Sequence, residues 1–352
     1  MSTIRDVARR AGVSTMTVSR VINDSGYTSA ETRARVERAI ADLGYVPNAV
    51  ARHLRSKRTK TIALVLSDIT NPFFTTLARG VEDVAGPRGF GVMFCNTDES
   101  ASEELDYLGM LIQRQVDGVL LVPAGSSAKP LGLLQGHGVP VVVIDRRVES
   151  RDVDQVRTDS VDGAYRLTHH LIGLGHRRIG LLTGRRDIST SVDRAAGYER
   201  ALAEAGLTLD PELVRYGQFS LAAGYEMATE LLTLTQRPTA LVCANEFIAF
   251  GALRALRELS LRVPDDLSLV CFDDLPEEWL VDPFLTVVDQ PAYDMGRRAA
   301  ELLLGRLDGT RPAGGEQVIL PGEFVERRST AAPSSGPREA VTDPPAPSSA
   351  VA

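Results

Sequence analysis

Long apolar runs are missing from this 352-residue chain, and no stretch of about 18 apolar residues could span a bilayer. Its opening, Met-Ser-Thr-Ile-Arg-Asp, lacks the cationic region followed by an apolar one that marks a secretory signal. Both absences lead us to expect a cytoplasmic protein with no membrane partner. Cysteine is scarce as well. Cys95, Cys243 and Cys271 are odd in number, far apart and set in apolar, strand-like runs, which suits buried reduced thiols better than a disulfide framework. Their spacing offers no metal site, so neither metal nor cofactor is expected. His-Glu-x-x-His, the glycine-rich phosphate loop followed by Lys, and Gly-x-Ser-x-Gly are all absent, so the common catalytic signatures fail and no enzyme is expected. His169 and His170 are neighbours in a helical stretch and diverge, while His176, in Gly-His-Arg-Arg, is expected to end a helix rather than bind a metal.

The net charge of −7 argues against a nucleic-acid partner until it is divided along the chain. Residues 1–60 carry 12 Lys or Arg and 5 Asp or Glu; from totals of 39 and 46, that leaves 27 and 41 for the rest. A head of +7 therefore precedes a body of −14, which places phosphate-seeking charge where a small DNA-binding module needs it. The length itself calls for two or three cores.

In the head, Thr3 and Asp6 form a Thr-x-x-Asp start signal, and Ile4, Val7, Ala8 and Ala11 share one face of a short helix that Gly12 ends. Ser14 can cap a second helix, in which Val18, Val21 and Ile22 form the buried stripe. A third follows Thr28 and Glu31, read as a capping box, with Val36, Ile40 and Leu43 at helical spacing and Gly44 as its stop. Two short helices around a glycine turn make a helix-turn-helix, and the third closes a miniature core. The free face of the second helix carries Thr15, Met16, Thr17 and Arg20, and its N-terminal residues would meet base edges in the major groove. Arg20 can donate twice to guanine, Thr15 can bond a base or phosphate, and Met16 can touch a thymine methyl. The competing reading, a helical hairpin that only packs, fits the agreement of turn, caps and charge less well. From Pro47 to Lys60 the chain is alanine-rich and basic, a linker with helical potential that stays largely unfolded until DNA or a partner chain supplies contacts.

Ile4-Arg5-Asp6-Val7-Ala8, Gly12-Val13-Ser14, Thr17-Val18-Ser19-Arg20-Val21-Ile22-Asn23 and Asn48-Ala49-Val50-Ala51-Arg52 resemble the LacI/GalR family of bacterial repressors. That resemblance extends to about residue 330. It implies that the linker is a hinge helix pairing with its twin in the minor groove, where Leu54 is the wedging leucine and Ala51 the small residue that lets the helix lie close. The expected DNA-binding set is Thr3, Ser14, Thr15, Met16, Thr17, Arg20, Asn23, Ala51, Arg52 and Leu54.

Beyond residue 60, apolar β-branched runs (61–67, 91–95, 118–122, 139–144, 179–183, 240–244 and 267–272) alternate with amphipathic stretches such as 103–113. Uniformly apolar strands separated by helices indicate parallel sheets covered on both faces, and this number of units suggests two doubly wound halves. Open parallel sheets bind ligands beyond the carboxyl ends of their strands. The residues there are polar: Asp68, Asn71, Phe73 and Phe74; Asn96 to Asp98; Asp145 and Arg146; Thr183, Gly184 and Thr190; Asn245 and Glu246; Asp273 and Asp274; Asp289 and Gln290. Carboxylates, amides and guanidinium with aromatic faces nearby suit a neutral polyhydroxylated ligand, whose hydroxyls both donate and accept. For any one Asp after a strand, a helix N-cap is the competing explanation.

Thr70-Asn71-Pro72-Phe73-Phe74, Val116-Asp117-Gly118, Ile144-Asp145-Arg146, Gly173-Leu174-Gly175-His176-Arg177-Arg178-Ile179, Arg194-Ala195-Ala196-Gly197-Tyr198, Arg262-Val263-Pro264, Phe272-Asp273-Asp274 and Val325-Glu326-Arg327-Arg328-Ser329-Thr330 are similar to the same family's sensor domain. The resemblance implies two lobes, like those of periplasmic sugar-binding proteins, closing on an effector. By position Asp145, Arg194, Asn245 and Asp273 match its polar ligands, and Phe73, Phe74 and Phe219 its aromatic wall. The effector set expected is these seven with Arg146, Thr190 and Gln290. Departures are Glu246 where the family more often has Asp, Pro87 within a usual helix end, and Ile188 where relatives that bind purines have arginine, which weakens a purine reading. Trp279 is expected to cover the core rather than stack on an effector.

The expected fold is α/β. A three-helix helix-turn-helix domain (1–46) and a hinge helix with linker (47–60) precede a two-lobed, doubly wound parallel, periplasmic-binding-protein-like sensor domain (61–330). The lobes comprise 61–159 with 289–318, and 160–288 with 319–330. The Pro-, Ser- and Ala-rich tail (331–352) lacks leucine heptads and is expected to be disordered. The expected function is that of a homodimeric repressor of a palindromic operator, controlled by a small-molecule effector, a sugar. A nucleoside or other non-sugar metabolite stays open as effector. The rival classes are a solute-binding protein, which the body alone would support, and an enzyme acting on sugars.

Overall fold

The computed structural model describes residues 2–46, 58–275, 282–312 and 314–334, in two compact units, Met1–Thr59 and Lys60–Ala352. In the first, short-range polar signals start each helix. Thr3 caps α1 (Ile4–Ala11) in a reciprocal box with Asp6, and Ser14 Oγ accepts from Thr17 N at 3.1 Å to start α2 (Thr15–Ile22). At Gly12 the backbone turns left-handed, φ +65°, a conformation that costs glycine no Cβ clash. The third helix, α3 (Ala30–Leu43), departs from the expected Thr28/Glu31 box. Ser29 caps it instead, accepting from Thr32 N at 3.3 Å, while Glu31 stands in the first turn. Ser29 is the residue immediately before the helix, from which a side-chain oxygen reaches the third helical amide, whereas Thr28 stands one position further out. Val7, Ala8, Ala11, Val18, Val21, Val36 and Ala39 form the buried core of this unit.

The second unit winds twice. The first lobe contains β1 (Thr61–Leu66), α4 (Pro72–Ala85), β2 (Gly91–Asn96), α5 (Ala101–Gln113), β3 (Gly118–Leu121), α6 (Lys129–Gly136), β4 (Val141–Ile144) and β5 (Asp154–Thr158). The second contains α7 (Ser160–Gly173), β6 (Ile179–Thr183), α8 (Ser189–Glu204), β7 (Val214–Tyr216), α9 (Leu221–Leu232), β8 (Ala240–Cys243), α10 (Glu246–Glu258), β9 (Ser268–Phe272) and β10 (Thr286–Asp289). The chain then returns to the first lobe for α11 (Ala292–Leu307) and β11 (Gln317–Leu320) and ends in the second with β12 (Glu323–Val325).

The six-stranded sheets have the orders β11-β5-β4-β3-β1-β2 and β12-β10-β9-β8-β6-β7. All pairings are parallel except β10 with β12. Every residue of β3, β6, β8 and β9 is buried, as a parallel sheet with helices on both faces requires. Three crossings join the lobes, between β5 and α7, between β10 and α11, and between β11 and β12.

Cys95, Cys243 and Cys271 are buried and free, although Cys243 and Cys271 face each other in register on β8 and β9. His176, just past α7, bonds Thr239 Oγ1 at 2.8 Å, Ser268 Oγ at 3.0 Å and the Ala331 carbonyl at 2.9 Å. It thereby fastens the last described segment to the second sheet. His169 stacks on Tyr165 while His170 reaches Thr330, so the adjacent pair does diverge.

Candidate functional site

In the N-terminal unit, the expected DNA-contacting residues fall into two groups. Thr3, Ser14, Thr17 and Asn23 are engaged locally: Thr3 and Ser14 cap helices, Thr17 Oγ1 meets Ser14 Oγ at 2.9 Å, and Asn23 Nδ2 donates to Ser19 O at 2.7 Å. Thr15, Met16 and Arg20 are exposed, Met16 by 58 %. Among the described residues, the Arg20 side chain has neither a hydrogen bond nor an ion pair. Ala51, Arg52 and Leu54 lie outside the described residues, as do Trp279 and the tail from 335 onward.

All ten residues of the expected effector set border one cleft, which encloses about 450 Å³ including its open mouth. Phe73 and Phe74 open α4 edge to face, their ring centroids 5.0 Å apart. Asn71 caps that helix, its Oδ1 accepting from Phe73 N at 2.7 Å. Asp145 and Asp273 occupy equivalent places in the two lobes, at the ends of β4 and β9. Both have left-handed backbones, φ +66° and +74°, which aspartate tolerates better than most residues. Their amides donate to the neighbouring strand, Asp145 N to Val156 O at 2.8 Å and Asp273 N to Val288 O at 2.9 Å. Thr190 and Arg194 come from α8, Phe219 precedes α9, and Asn245 caps α10 by accepting from Ile248 N at 2.9 Å. Gln290 stands in the crossing after β10 and donates to Asp273 Oδ1.

Burial governs the charges here. It pushes Asp145 up to about 6, against the opposing pull of Arg146 and Arg194. Burial likewise raises Asp273 and, reinforced by Asp273, lifts Glu246 well above the usual carboxylate range. Arg194 lies 3.8 Å over the Phe272 ring and 4.0 Å from Asp273, and donates to the Ala244 carbonyl. Thr183 Oγ1, Ser191 Oγ, Arg194 Nε, Gln290 Oε1 and both Glu246 carboxyl oxygens are buried without a hydrogen-bond partner. Buried orphans of this kind call for water or ligand.

Three further residues border the cleft: Asp68, Asn71 and Glu99. Asp68 and Asn71 stand among the strand-end residues, but Glu99 is one position beyond the Asn96–Asp98 group. Its signal is the pair of left-handed residues Asp98 and Glu99, which carries the turn one residue further than the apolar run suggests. Thr183, Asp274 and Asp289 are strand-end residues that do not border the cleft; Asp274 instead pairs with Arg327. Also missed are the contacts that hold the lobes together beside the cleft. Arg147 NH2 meets Asp193 Oδ1 at 2.8 Å and Arg147 N donates to Ser189 Oγ at 2.7 Å. Arg185 donates to the carbonyls of Glu99 at 3.2 Å and Ala124 at 3.3 Å. Among the described residues no group of three His, Cys, Asp or Glu could hold a metal ion, and no helix is long and apolar enough to cross a membrane.

A helix-turn-helix unit preceding a two-lobed, binding-protein-like body defines a class, the ligand-responsive DNA-binding regulators. Residues 3–48 match the family of bacterial regulatory proteins, lacI family, and residues 168–330 match a periplasmic binding protein-like domain. The HTH-type transcriptional repressor PurR of Photobacterium profundum is 37% identical over 308 residues, covering 87% of this chain and 92% of that protein. Among solved structures, the transcriptional regulator CelR–cellobiose complex is 36% identical with a TM-score of 0.72, covering 94% of this chain and 100% of that one. The lac repressor dimer bound to operator and the anti-inducer ONPF is 29% identical with a TM-score of 0.83, covering 94% and 99%. The chain belongs to the LacI family of bacterial transcriptional regulators, and neither matching family is a catalytic one.

Proposed function

We propose that this regulator is a homodimeric repressor that reads a near-palindromic operator through Thr15, Met16 and Arg20 and changes its DNA affinity when a sugar closes the two lobes. The observation that carries the effector reading is the convergence of carboxylates, amides, guanidinium and aromatic faces on one cleft. A polyol presents donors and acceptors together and offers C–H faces to Phe73, Phe74 and Phe219. The similarity to a cellobiose-bound regulator supports the same class of ligand. Linkage requires the sugar to bind the DNA-competent and incompetent states unequally.

The test is a thermal-shift panel of sugars, sugar phosphates and nucleosides, repeated with DNA from upstream of the gene. A true effector shifts both the melting temperature and the DNA affinity. A nucleoside that alone does so replaces the sugar reading, since the same aromatic walls would stack a base. Failure to retain any DNA in a gel shift returns the solute-binding alternative. For the DNA face, Arg20→Ala should relax base preference at one operator position by roughly 1–3 kcal/mol. An equal loss on every sequence removes Arg20 from the reading set.

A further inference from the structure

We propose that Glu99 is a specificity residue: by occupying the Arg146 guanidinium, it closes the cleft to anionic ligands and confines the effector to an uncharged one, a free sugar rather than its phosphate ester. This rests on the sugar reading above for the ligand's class, but not for the exclusion of anions. Recognition of a phosphate or carboxylate is strongest where a guanidinium offers an uncompensated charge and two parallel N–H donors. Arg146 is the first-lobe guanidinium at the cleft, 5 % exposed. Its Nη1 donates to the Pro123 carbonyl at 2.7 Å and its Nη2 is held by Glu99 Oε1 with Ser67 Oγ at 3.4 Å, while its Nε is buried without a hydrogen-bond partner, 3.9 Å from Asp145 Oδ2.

Glu99 is itself fixed on both sides. Its amide donates to Ser67 O at 3.1 Å within the first lobe, and its carbonyl accepts from Arg185 NH1 of the second lobe at 3.2 Å. Arg185 brings no free charge, being paired with Asp187 at 2.7 Å. The second-lobe guanidinium, Arg194, is engaged by the Ala244 carbonyl, the Phe272 ring and Asp273. The border of the cleft thus carries Asp68, Glu99, Asp145 and Asp273 against Arg146 and Arg194. An anion entering there meets a carboxylate excess and two guanidiniums whose charges Glu99 and Asp273 already oppose, each keeping a buried Nε without a partner, whereas a hydroxyl can donate to the carboxylates at no charge penalty.

The experiment compares matched pairs by calorimetric titration of the full-length protein: common aldoses with their 1-phosphates and terminal phosphates, and nucleosides with their 5′-monophosphates. The wild type is expected to bind the uncharged member at least about tenfold more tightly. Glu99→Gln leaves Arg146 without its counter-ion and is expected to narrow that ratio by about tenfold or more, while Glu99→Asp retains it. A purely structural role would lower affinity for both members alike. A phosphate ester that binds the wild type as well as its parent overturns the proposal, as does an unchanged ratio in a folded Glu99→Gln protein. If only the nucleoside pairs bind, the sugar reading fails and the same ratio still decides the role of Glu99. If no pair binds at all, both fall.

Discussion

The N-terminal unit and the two-lobed body are held together at different distances along the chain. Thr3 with Asp6, Ser14 with Thr17 and Ser29 with Thr32 each join residues three apart, around seven small buried apolar side chains. The ion pairs of this unit among the described residues, Arg9–Asp6, Arg10–Asp42 and Arg33–Asp24, are exposed and contribute little. In the body, Arg306 on α11 reaches back 152 residues to Asp154 on β5, and Ser329 accepts from Thr286 N and donates to the Leu269 carbonyl. Local caps are worth about 1 kcal/mol each, and a unit this small has little core in reserve. Damage should therefore be graded and local in the head, and larger and shared in the body.

The sharpest way to break that contrast is Arg306→Ala. Asp154 is 2 % exposed on its side chain. Burial alone would raise its pKa, yet the hydrogen bonds from Arg306 and Glu316 N hold it below the usual range. Removing the guanidinium leaves a buried carboxylate with one backbone donor, at a cost of about 3 kcal/mol. Urea unfolding should show the loss in the body's transition with the head's transition unmoved. A cost below about 1 kcal/mol, the range of an exposed pair, would mean that this contact is no different from those of the head.

Next in size is Gly197→Ala on α8. A Cβ there would lie 2.2 Å from the Val161 carbonyl oxygen and 2.8 Å from Tyr165 N, so α7 and α8 must separate. Overpacking of this kind costs about 2–3 kcal/mol. Thermal unfolding should again register it in the body alone, and a melting temperature equal to wild type would show that the helix pair yields freely.

The acid limb of stability separates the units further. His176 is buried and its pKa is lowered, first by burial and then by the nearby His170, although the Ala331 carbonyl opposes this. A lowered pKa means that the unfolded chain takes up the proton first. The contribution of His176 is therefore fully present above about 6.5, its ordinary value, and is lost as pH falls below it. The raised Asp145 works in the opposite sense: its contribution is lost as pH rises through about 6. Comparing wild type with His176→Asn cancels the carboxylate. The wild type should lose more stability than the variant between pH 7.5 and 5, read as the melting temperature of the body. Parallel curves would mean that His176 does not titrate across folding.

This difference in range also decides what a reader of the sequence could see. The caps and glycine stops of the head are short patterns, yet the cap expected at Thr28 falls on the adjacent Ser29. Strands β1, β3, β6, β8 and β9 are apolar apart from the terminal residues Thr61, Thr183 and Ser268, and announce themselves. By contrast β5 reads Asp-Gln-Val-Arg-Thr, and its buried Asp154 is satisfied by the distant Arg306 and the Glu316 amide, while Gln155 bonds the Val148 and Ser150 carbonyls. The cleft's strand-end residues follow from topology, which is why ten of them converge. Glu99 and the Arg147–Asp193 and Arg185 contacts were hidden because their partners lie 42 to 86 residues away along the chain.

The smallest effect belongs to the head, and it tests the same residue change under opposite circumstances. A Cβ on Gly12 would meet nothing within 4 Å, but its φ is +65°, so Gly12→Ala pays only for a left-handed backbone, about 1 kcal/mol. Asparagine reaches that conformation more easily, and Gly12→Asn should recover part of the loss. Alanine at 197 has the right backbone and no room; alanine at 12 has room and the wrong backbone. If Gly12→Ala were as damaging as Gly197→Ala, or if Gly12→Asn recovered nothing, the head would be held by packing at this turn rather than by its local geometry.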